Sequence, residues 1–260
     1  MKRFSQLLVS AVFLAQSVMG FAAVKTKTVE YKKGKDGFEG VLVYPDNAKG
    51  KVPGILMIHN WMGVTDETKK QASRMAELGY AVFAADIYGK GIRPKTPEEA
   101  GKISGSYRTD RALFRERLKL GLDILRGQKE VDTNKVVAVG YCFGGAGVIE
   151  LARSGADITG VVSFHGGLDS PTPADGKNIK ARVLALHGAD DPYVKPEDLA
   201  AFEKEMRDNK IDWQLYKYGN AVHSFTEMSA GTDPSKGAAY NAAADARSFE
   251  TFKDFAKETL

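Results

Sequence analysis

The feature that most constrains this chain is a strand, a sharp turn and a helix around its only cysteine. The apolar run at residues 136–139 ends at Gly140, Cys142 follows, and after Gly144 and Gly145 comes a helix-compatible segment at 146–153. Glycines two positions before and two after the cysteine have no Cβ, so a strand and a helix can pass each other at a tight turn. The pattern predicts a nucleophile at the apex of that turn.

A helix that begins directly after Cys142 also favours the thiolate, because free N–H groups and the positive end of the helix dipole point towards the sulfur. Taken alone, a free cysteine is often only a small core residue, and glycines often only mark a loop. The order of strand, turn and helix is what favours the nucleophile.

The remaining pattern alternates strands with helices behind a leading hairpin. Residues 24–31 alternate apolar and polar side chains, as a half-exposed strand does, and residues 38–44 form its partner. Residues 52–58 and 80–85 are almost continuously apolar, which is typical of strands buried on both faces. Further strands are predicted at 135–139, 159–164, 181–186 and 211–218, and helices at 67–78, 109–126, 196–209 and 237–260.

This alternation predicts an α/β fold with a doubly wound, mostly parallel sheet and an antiparallel N-terminal hairpin. Residues 86–106 are rich in glycine, proline and lysine and predict irregular structure with one short helix from Pro97. A length of 260 residues suits one such domain.

The N-terminus predicts a cleaved secretory signal at residues 1–22. Lys2 and Arg3 precede an apolar stretch at residues 7–15, and small residues stand at the two positions that a signal peptidase reads before a cut after Ala22 or Ala23. The interpretation is an exported protein, in the periplasm of a bacterium, whose mature part is a single domain over residues 23–260.

An N-terminal membrane anchor is the alternative reading of the same segment. Gln16 and Ser17 interrupt the apolar run, which is short for a membrane span, so we expect no stable anchor. The net charge of +4 is small, and basic residues occur as pairs such as Lys32 and Lys33, which indicates no nucleic-acid partner.

The turn around Cys142 resembles the nucleophile elbow of α/β-hydrolases, with cysteine in place of serine. In those enzymes the acid and then the histidine follow the nucleophile along the chain. Of the four histidines, only His223 follows the loop expected to carry the acid, so His223 is predicted to be the general base. That loop offers two carboxylates, Asp190 and Asp191.

The whole mature sequence is similar to the dienelactone hydrolase family, whose members are cysteine-dependent α/β-hydrolases. The matching segments are GYCFGG at 140–145, ADIYG at 85–89, HGADDPYV at 187–194, YGNAVHSF at 218–225 and AYNAAADARSFETF at 239–252. The resemblance implies hydrolysis of a small-molecule ester or lactone through a thioester acyl-enzyme, with no metal or organic cofactor. It also implies that Asp191 is the acid that orients His223.

An oxyanion hole requires two backbone donors in this fold. The first is predicted to be the N–H of Phe143, directly after the nucleophile, and the second the N–H of Asn60 or Trp61 in the loop after the third strand. Each donor is worth about 3 kcal/mol of barrier.

Two positions depart from the family members that act on dienelactone. Asn60 stands where those enzymes have a glutamate that helps to activate the cysteine, and Glu227 stands where they have an arginine for the substrate carboxylate. Like charges repel in a poorly solvated pocket, so dienelactone itself is not the expected substrate. Family position also puts Tyr88 and Glu227 in the substrate pocket, although Tyr88 could equally be a core aromatic residue. Arg93 and Arg108 are candidates for a positive charge that binds the substrate, although arginines more often face solvent. The alternative function, to which Asn60 and Glu227 lend weight, is a non-catalytic ligand-binding protein on the same scaffold.

Overall fold

The computed structural model describes residues 23–260, so the predicted signal peptide lies outside the described residues. Between residues 23 and 260, none of the helices has the length and hydropathy that a membrane span requires.

The described residues form one sheet of eight strands, in the order β1-β2-β4-β3-β5-β6-β7-β8. The hairpin β1/β2 and the pair β2/β4 are antiparallel, and all other neighbours are parallel. The strands are β1 (Val24–Lys33), β2 (Asp36–Pro45), β3 (Val52–Ile58), β4 (Ala81–Ala85), β5 (Val131–Tyr141), β6 (Gly160–Phe164), β7 (Arg182–Gly188) and β8 (Trp213–Tyr218). The predicted doubly wound fold with an N-terminal hairpin is confirmed.

Helices cover both faces of this sheet and bury two separate apolar clusters. Helices α1 (Asp66–Ala76) and α6 (Ala242–Thr259) pack on one face through residues such as Met75 and Phe252. The other face is covered by α2 (Pro97–Thr109), α3 (Arg111–Arg126), α4 (Phe143–Arg153) and α5 (Pro196–Asp208). Because β3 to β7 lie between these two layers, their covered parts are continuously apolar, as at residues 55–58, 81–85 and 136–139.

The main correction to the sequence prediction concerns the segment that was expected to be mostly irregular. Residues 97–109 form a complete helix, α2, and the helix predicted to begin at Thr109 begins instead at Arg111. Asp110 separates the two helices and caps α3, because its carboxylate accepts a hydrogen bond from the N–H of Leu113 at 2.9 Å. Apolar periodicity does not reveal α2, since its buried face is made largely of small residues.

A buried ion-pair network fixes α4 against its neighbours. The guanidinium of Arg153, 1% exposed, binds Glu150 at 2.9 Å and Glu205 of α5 at 2.6 Å. Glu150 also accepts from Arg115 of α3 at 2.8 Å. Buried charges persist only where they are paired, so this network holds α3, α4 and α5 in one arrangement.

Replacing Arg153 by leucine is expected to lower the free energy of unfolding by about 3–5 kcal/mol, because the buried Glu205 carboxylate loses the cation that it binds. Urea denaturation followed by circular dichroism measures the change. Lys204→Leu is the matched control. Lys204 pairs with Asp208 on the exposed face of α5, the helix that also carries Glu205. Its replacement should change stability by less than about 1 kcal/mol. Equal small losses for both variants would contradict the assigned role of Arg153.

Candidate active site

Cys142 lies between the end of β5 and the start of α4 in a strained backbone conformation. Its φ of +53° and ψ of −111° are unfavourable for a residue with a side chain. A Cβ on Gly140 would collide with the carbonyl of Gly144, and one on Gly144 would collide with the carbonyl of Ile58 at the end of β3. The glycines therefore allow the turn that sequence analysis predicted, and they bring α4 against β3.

The structure brings together Cys142, His223 and Asp191, which lie after β5, β8 and β7. The Nε2 atom of His223 is 3.0 Å from the Sγ atom of Cys142, and its Nδ1 atom is 2.8 Å from Oδ2 of Asp191. The other carboxylate oxygen of Asp191 accepts from the N–H of Tyr193 at 2.8 Å. Asp190, the second carboxylate of this loop, is exposed.

The charges next to His223 favour the protonated form of its imidazole. Burial opposes a charge on His223, but the neighbouring sulfur of Cys142 and the carboxylate of Asp191 outweigh burial and raise the pKa of His223 well above its usual value. The contacts can therefore hold a thiolate beside an imidazolium, which is the reactive form of a cysteine nucleophile.

The loop after β3 forms a tight turn next to the elbow. The side-chain oxygen of Asn60 accepts from the N–H of Met62 at 2.9 Å, and its carbonyl accepts from Gly63 at 3.2 Å. The hydroxyl of Tyr88 donates to the carbonyl of Trp61 at 3.0 Å. Within residues 23–260, the N–H of Trp61 has no hydrogen-bond acceptor, so it is available to a ligand.

A cavity of about 300 Å³ opens above the sulfur. Its walls come from the elbow, from α2 and from the loops after β3, β7 and β8. They include Cys142, His223, Trp61, Tyr193, Arg108 and the small residues Gly101, Ser104 and Gly105. The small residues recur every three or four positions and so share one face of α2 with Arg108. This spacing is the signal that could have identified α2 as a cavity wall.

The comparison with known proteins agrees with this geometry. The sequence model of the dienelactone hydrolase family matches residues 38–260. The chain belongs to the dienelactone hydrolase family. A solved dienelactone hydrolase-like promiscuous phosphotriesterase from metagenomic libraries is 40% identical, with a TM-score of 0.87, and the match covers 92% of this chain and 99% of that one.

Two curated relatives extend the comparison. A protein of Caenorhabditis elegans is 37% identical over 153 residues, which cover 56% of this chain and 94% of the relative. Protein usf of Aquifex pyrophilus is 28% identical over 208 residues, which cover 76% of this chain and 85% of the relative. Membership of the dienelactone hydrolase family makes this chain a hydrolase that acts on esters or lactones.

Within this dienelactone hydrolase fold, Tyr88 lies under the cavity rather than in its wall. Tyr88 is 6% exposed, and its ring packs 4.8 Å from His59 and 5.5 Å from Phe143, measured between ring centroids. Among the described residues it lines neither this cavity nor the one beside it. Its contact with the carbonyl of Trp61 indicates that it positions the loop after β3.

Arg93 and Arg108, the two candidate substrate cations, have different environments. Arg93 lies 3.5 Å from the buried carboxylate of Asp86 and donates to the carbonyl of Val64 at 3.1 Å, so it serves the structure. Arg108 lines the cavity above the sulfur and has no carboxylate partner in the described part of the chain. Only Arg108 is therefore free to meet a substrate.

The surroundings of the other three histidines indicate structural roles. Burial lowers the pKa of His59 to about 4 and also lowers the pKa of His165 and His187. His165 contacts the hydroxyl of Thr226 at 2.8 Å. Over residues 23–260, no group of three or more metal-ligating side chains is placed to hold a metal ion.

Glu227 lies beside the site, in a second cavity that adjoins the first. The carboxyl group is 4% exposed, and burial, together with the nearby Glu67, raises the pKa of Glu227 to about 7. Sequence analysis placed Glu227 in the substrate pocket from its family position alone. Nothing in the sequence showed that Glu227 would be buried beside another carboxylate.

Proposed function

We propose that this chain hydrolyses carboxylic esters or lactones through a Cys142–His223–Asp191 triad and a thioester acyl-enzyme. The observation that carries the proposal is the unbroken series of contacts from sulfur to imidazole at 3.0 Å and from imidazole to carboxylate at 2.8 Å. The three side chains occur in the order that α/β-hydrolases use.

Acylation begins when the Cys142 thiolate forms a bond to the carbonyl carbon and the C=O electron pair moves to oxygen. The N–H groups of Phe143 and Trp61 stabilise that oxyanion, and Tyr88 and the side chain of Asn60 hold the Trp61 turn in place. The C–O bond then breaks, and His223 transfers its Nε2 proton to the leaving oxygen.

Deacylation reverses the role of the histidine. His223, now neutral, removes a proton from water, which attacks the thioester carbonyl, and the C–S bond breaks to release the acid and the thiolate. Asp191 stabilises the imidazolium in both halves. The direct contact between His223 and the sulfur provides an activation route that needs no glutamate at position 60.

Mixing the protein with p-nitrophenyl trimethylacetate, whose hindered acyl group slows deacylation, is expected to give a burst of p-nitrophenol close to one equivalent. Mass spectrometry of the quenched protein should find one acyl group on the peptide that contains Cys142, and neutral hydroxylamine should remove it as it removes a thioester. Protein alkylated beforehand with iodoacetamide is the control and should give no burst. Ester turnover with the acyl group on another residue would contradict the proposed nucleophile.

Export is proposed on separate grounds. The basic, apolar and small-residue segments of residues 1–22 support a cleaved signal.

A further inference from the structure

A second cavity of about 580 Å³ adjoins the catalytic cavity. The two cavities share the side chains of Trp61, Ser224 and Ala238. The remaining walls of the second cavity come from Asn60 and Met62 in the loop after β3, from the start of α1 and its cap, and from the 3-10 turn Met228–Ala230 and the residue before it. It therefore adjoins the catalytic cavity across the three shared residues, one of which, Ser224, follows His223 in the chain.

Carboxylates dominate the charge of this second cavity. Asp66, Glu67 and Glu227 line it, and no lysine, arginine or histidine of the described residues does. Asp66 is paired with Lys69 at 2.9 Å, and Glu67 accepts a hydrogen bond from Ser229. The net charge that faces the cavity is therefore negative.

Among the carboxyl groups that line this cavity, Glu227 has an oxygen that the fold leaves unsatisfied. It is 4% exposed, and its Oε1 atom has no hydrogen-bond partner within residues 23–260. A buried polar atom without a partner destabilises the protein, and a charged one does so more strongly. A cationic group in the cavity would offset the negative charge of the carboxylate. Trp61, which also lines the cavity, is the aromatic residue that attracts cations best.

We infer that the second cavity binds the ammonium group of the alcohol part of the substrate, so that the substrate class is esters of amino alcohols. The inference rests on the proposed ester hydrolysis and specifies it further. The catalytic cavity holds Arg108, which repels a cation, so the acyl group belongs there. The alcohol must lie beside His223, which protonates the leaving oxygen, and from there it extends past Trp61 and Ser224 towards Glu227.

This subsite has a defined pH dependence. The groups that face Glu227 are Glu67 of α1, Asn60 after β3, Tyr141 at the end of β5, and Ser224 and His223 of its own loop. Burial and Glu67 raise the pKa of Glu227 to about 7, against the opposing influence of Asn60, His223 and Ser224. Above that pH the carboxylate attracts a cation, and the attraction is lost as the pH falls through it.

The test compares acetylcholine with neohexyl acetate, its uncharged isostere, as the ratio of the two kcat/KM values in each protein. At about pH 8 we expect the wild type to prefer the cationic ester by about tenfold or more. Glu227→Gln and Glu67→Gln should each bring the ratio towards one. Glu77→Gln, which removes one negative charge at the other end of α1, should keep the wild-type ratio. The preference of the wild type for the cationic ester should also decrease as the pH is lowered below about 7. The ratio for Glu227→Gln should stay constant over that range.

A ratio near or below one in the wild type, with hydrolysis still dependent on Cys142, would overturn the subsite and leave the proposed function intact. Binding of choline and of neohexyl alcohol to Cys142→Ala, measured by calorimetry, separates the two questions because it requires no turnover. If choline binds to Cys142→Ala and the further change Glu227→Gln removes that binding, the subsite is supported, whether or not the triad is correct. Equal or undetectable binding of both alcohols overturns it.

Discussion

Cys142→Ala is expected to abolish hydrolysis of p-nitrophenyl acetate, with a loss of kcat/KM of about 10⁴-fold or more. Cys142 is the only cysteine of the chain, so no other thiol can form the acyl-enzyme. The remaining oxyanion donors and His223 can still assist direct attack by water, which leaves a small residual rate. Initial rates of p-nitrophenol release, with the uncatalysed hydrolysis subtracted, measure the effect.

The comparison requires that the variant is folded, which thermal unfolding followed by circular dichroism establishes. Alanine keeps the Cβ that the strained φ of +53° already accommodates, so the melting temperature should change little. Labelling of the wild type by iodoacetamide at neutral pH shows whether the thiolate is present. An unchanged rate in Cys142→Ala would eliminate the proposed mechanism and would favour a ligand-binding role for the cavity.

Asp191→Asn is the second large effect, a loss of about 10²–10⁴-fold in kcat/KM. Asp191 accepts from Nδ1 of His223 at 2.8 Å and so leaves Nε2 directed at the sulfur. An asparagine amide in its place can donate to Nδ1, which favours the opposite tautomer, and it carries no charge to stabilise the imidazolium. Steady-state kinetics with p-nitrophenyl acetate measure the loss.

Asp190→Asn is the matched control, because it makes the same chemical change one position earlier in the same loop. Its side chain is exposed, and only its backbone N–H is used, donating to Ala221 at 3.0 Å. We expect its rate to stay within about twofold of the wild type, as is usual for a surface substitution. A large loss in Asp190→Asn with a small loss in Asp191→Asn would reverse the assignment of the acid.

Sequence reasoning predicted the three side chains that the structure brings together, from one local constraint, the chain order and a family resemblance. The spacing of Gly140, Cys142 and Gly144 reflects how closely a strand and a helix can approach, and that constraint is local. The order of nucleophile, acid and histidine then selected His223 among four histidines. The choice of Asp191 over Asp190 needed the resemblance to a known family, since the bare motif contains both.

The walls of the cavity were harder to predict. A cavity forms where small and charged side chains leave space unfilled, and the sequence does not show where that happens. Helix α2 has glycine and serine on its inner face, so it lacks the apolar stripe by which helices are recognised. The raised pKa of Glu227 depends in part on Glu67, 160 positions earlier in the chain. The pairing of Arg153 with Glu205 joins two helices whose sequences, taken separately, are ordinary.

Every residue of α4 is buried, whereas α2 lines the cavity above the sulfur and the connection after β8 lines both cavities. Changes in those two segments can therefore diversify the accepted molecules while the turn around Cys142 stays constant. Libraries aimed at new specificity are best restricted to them, and close homologues that differ there should share a reaction and differ in the compounds they degrade.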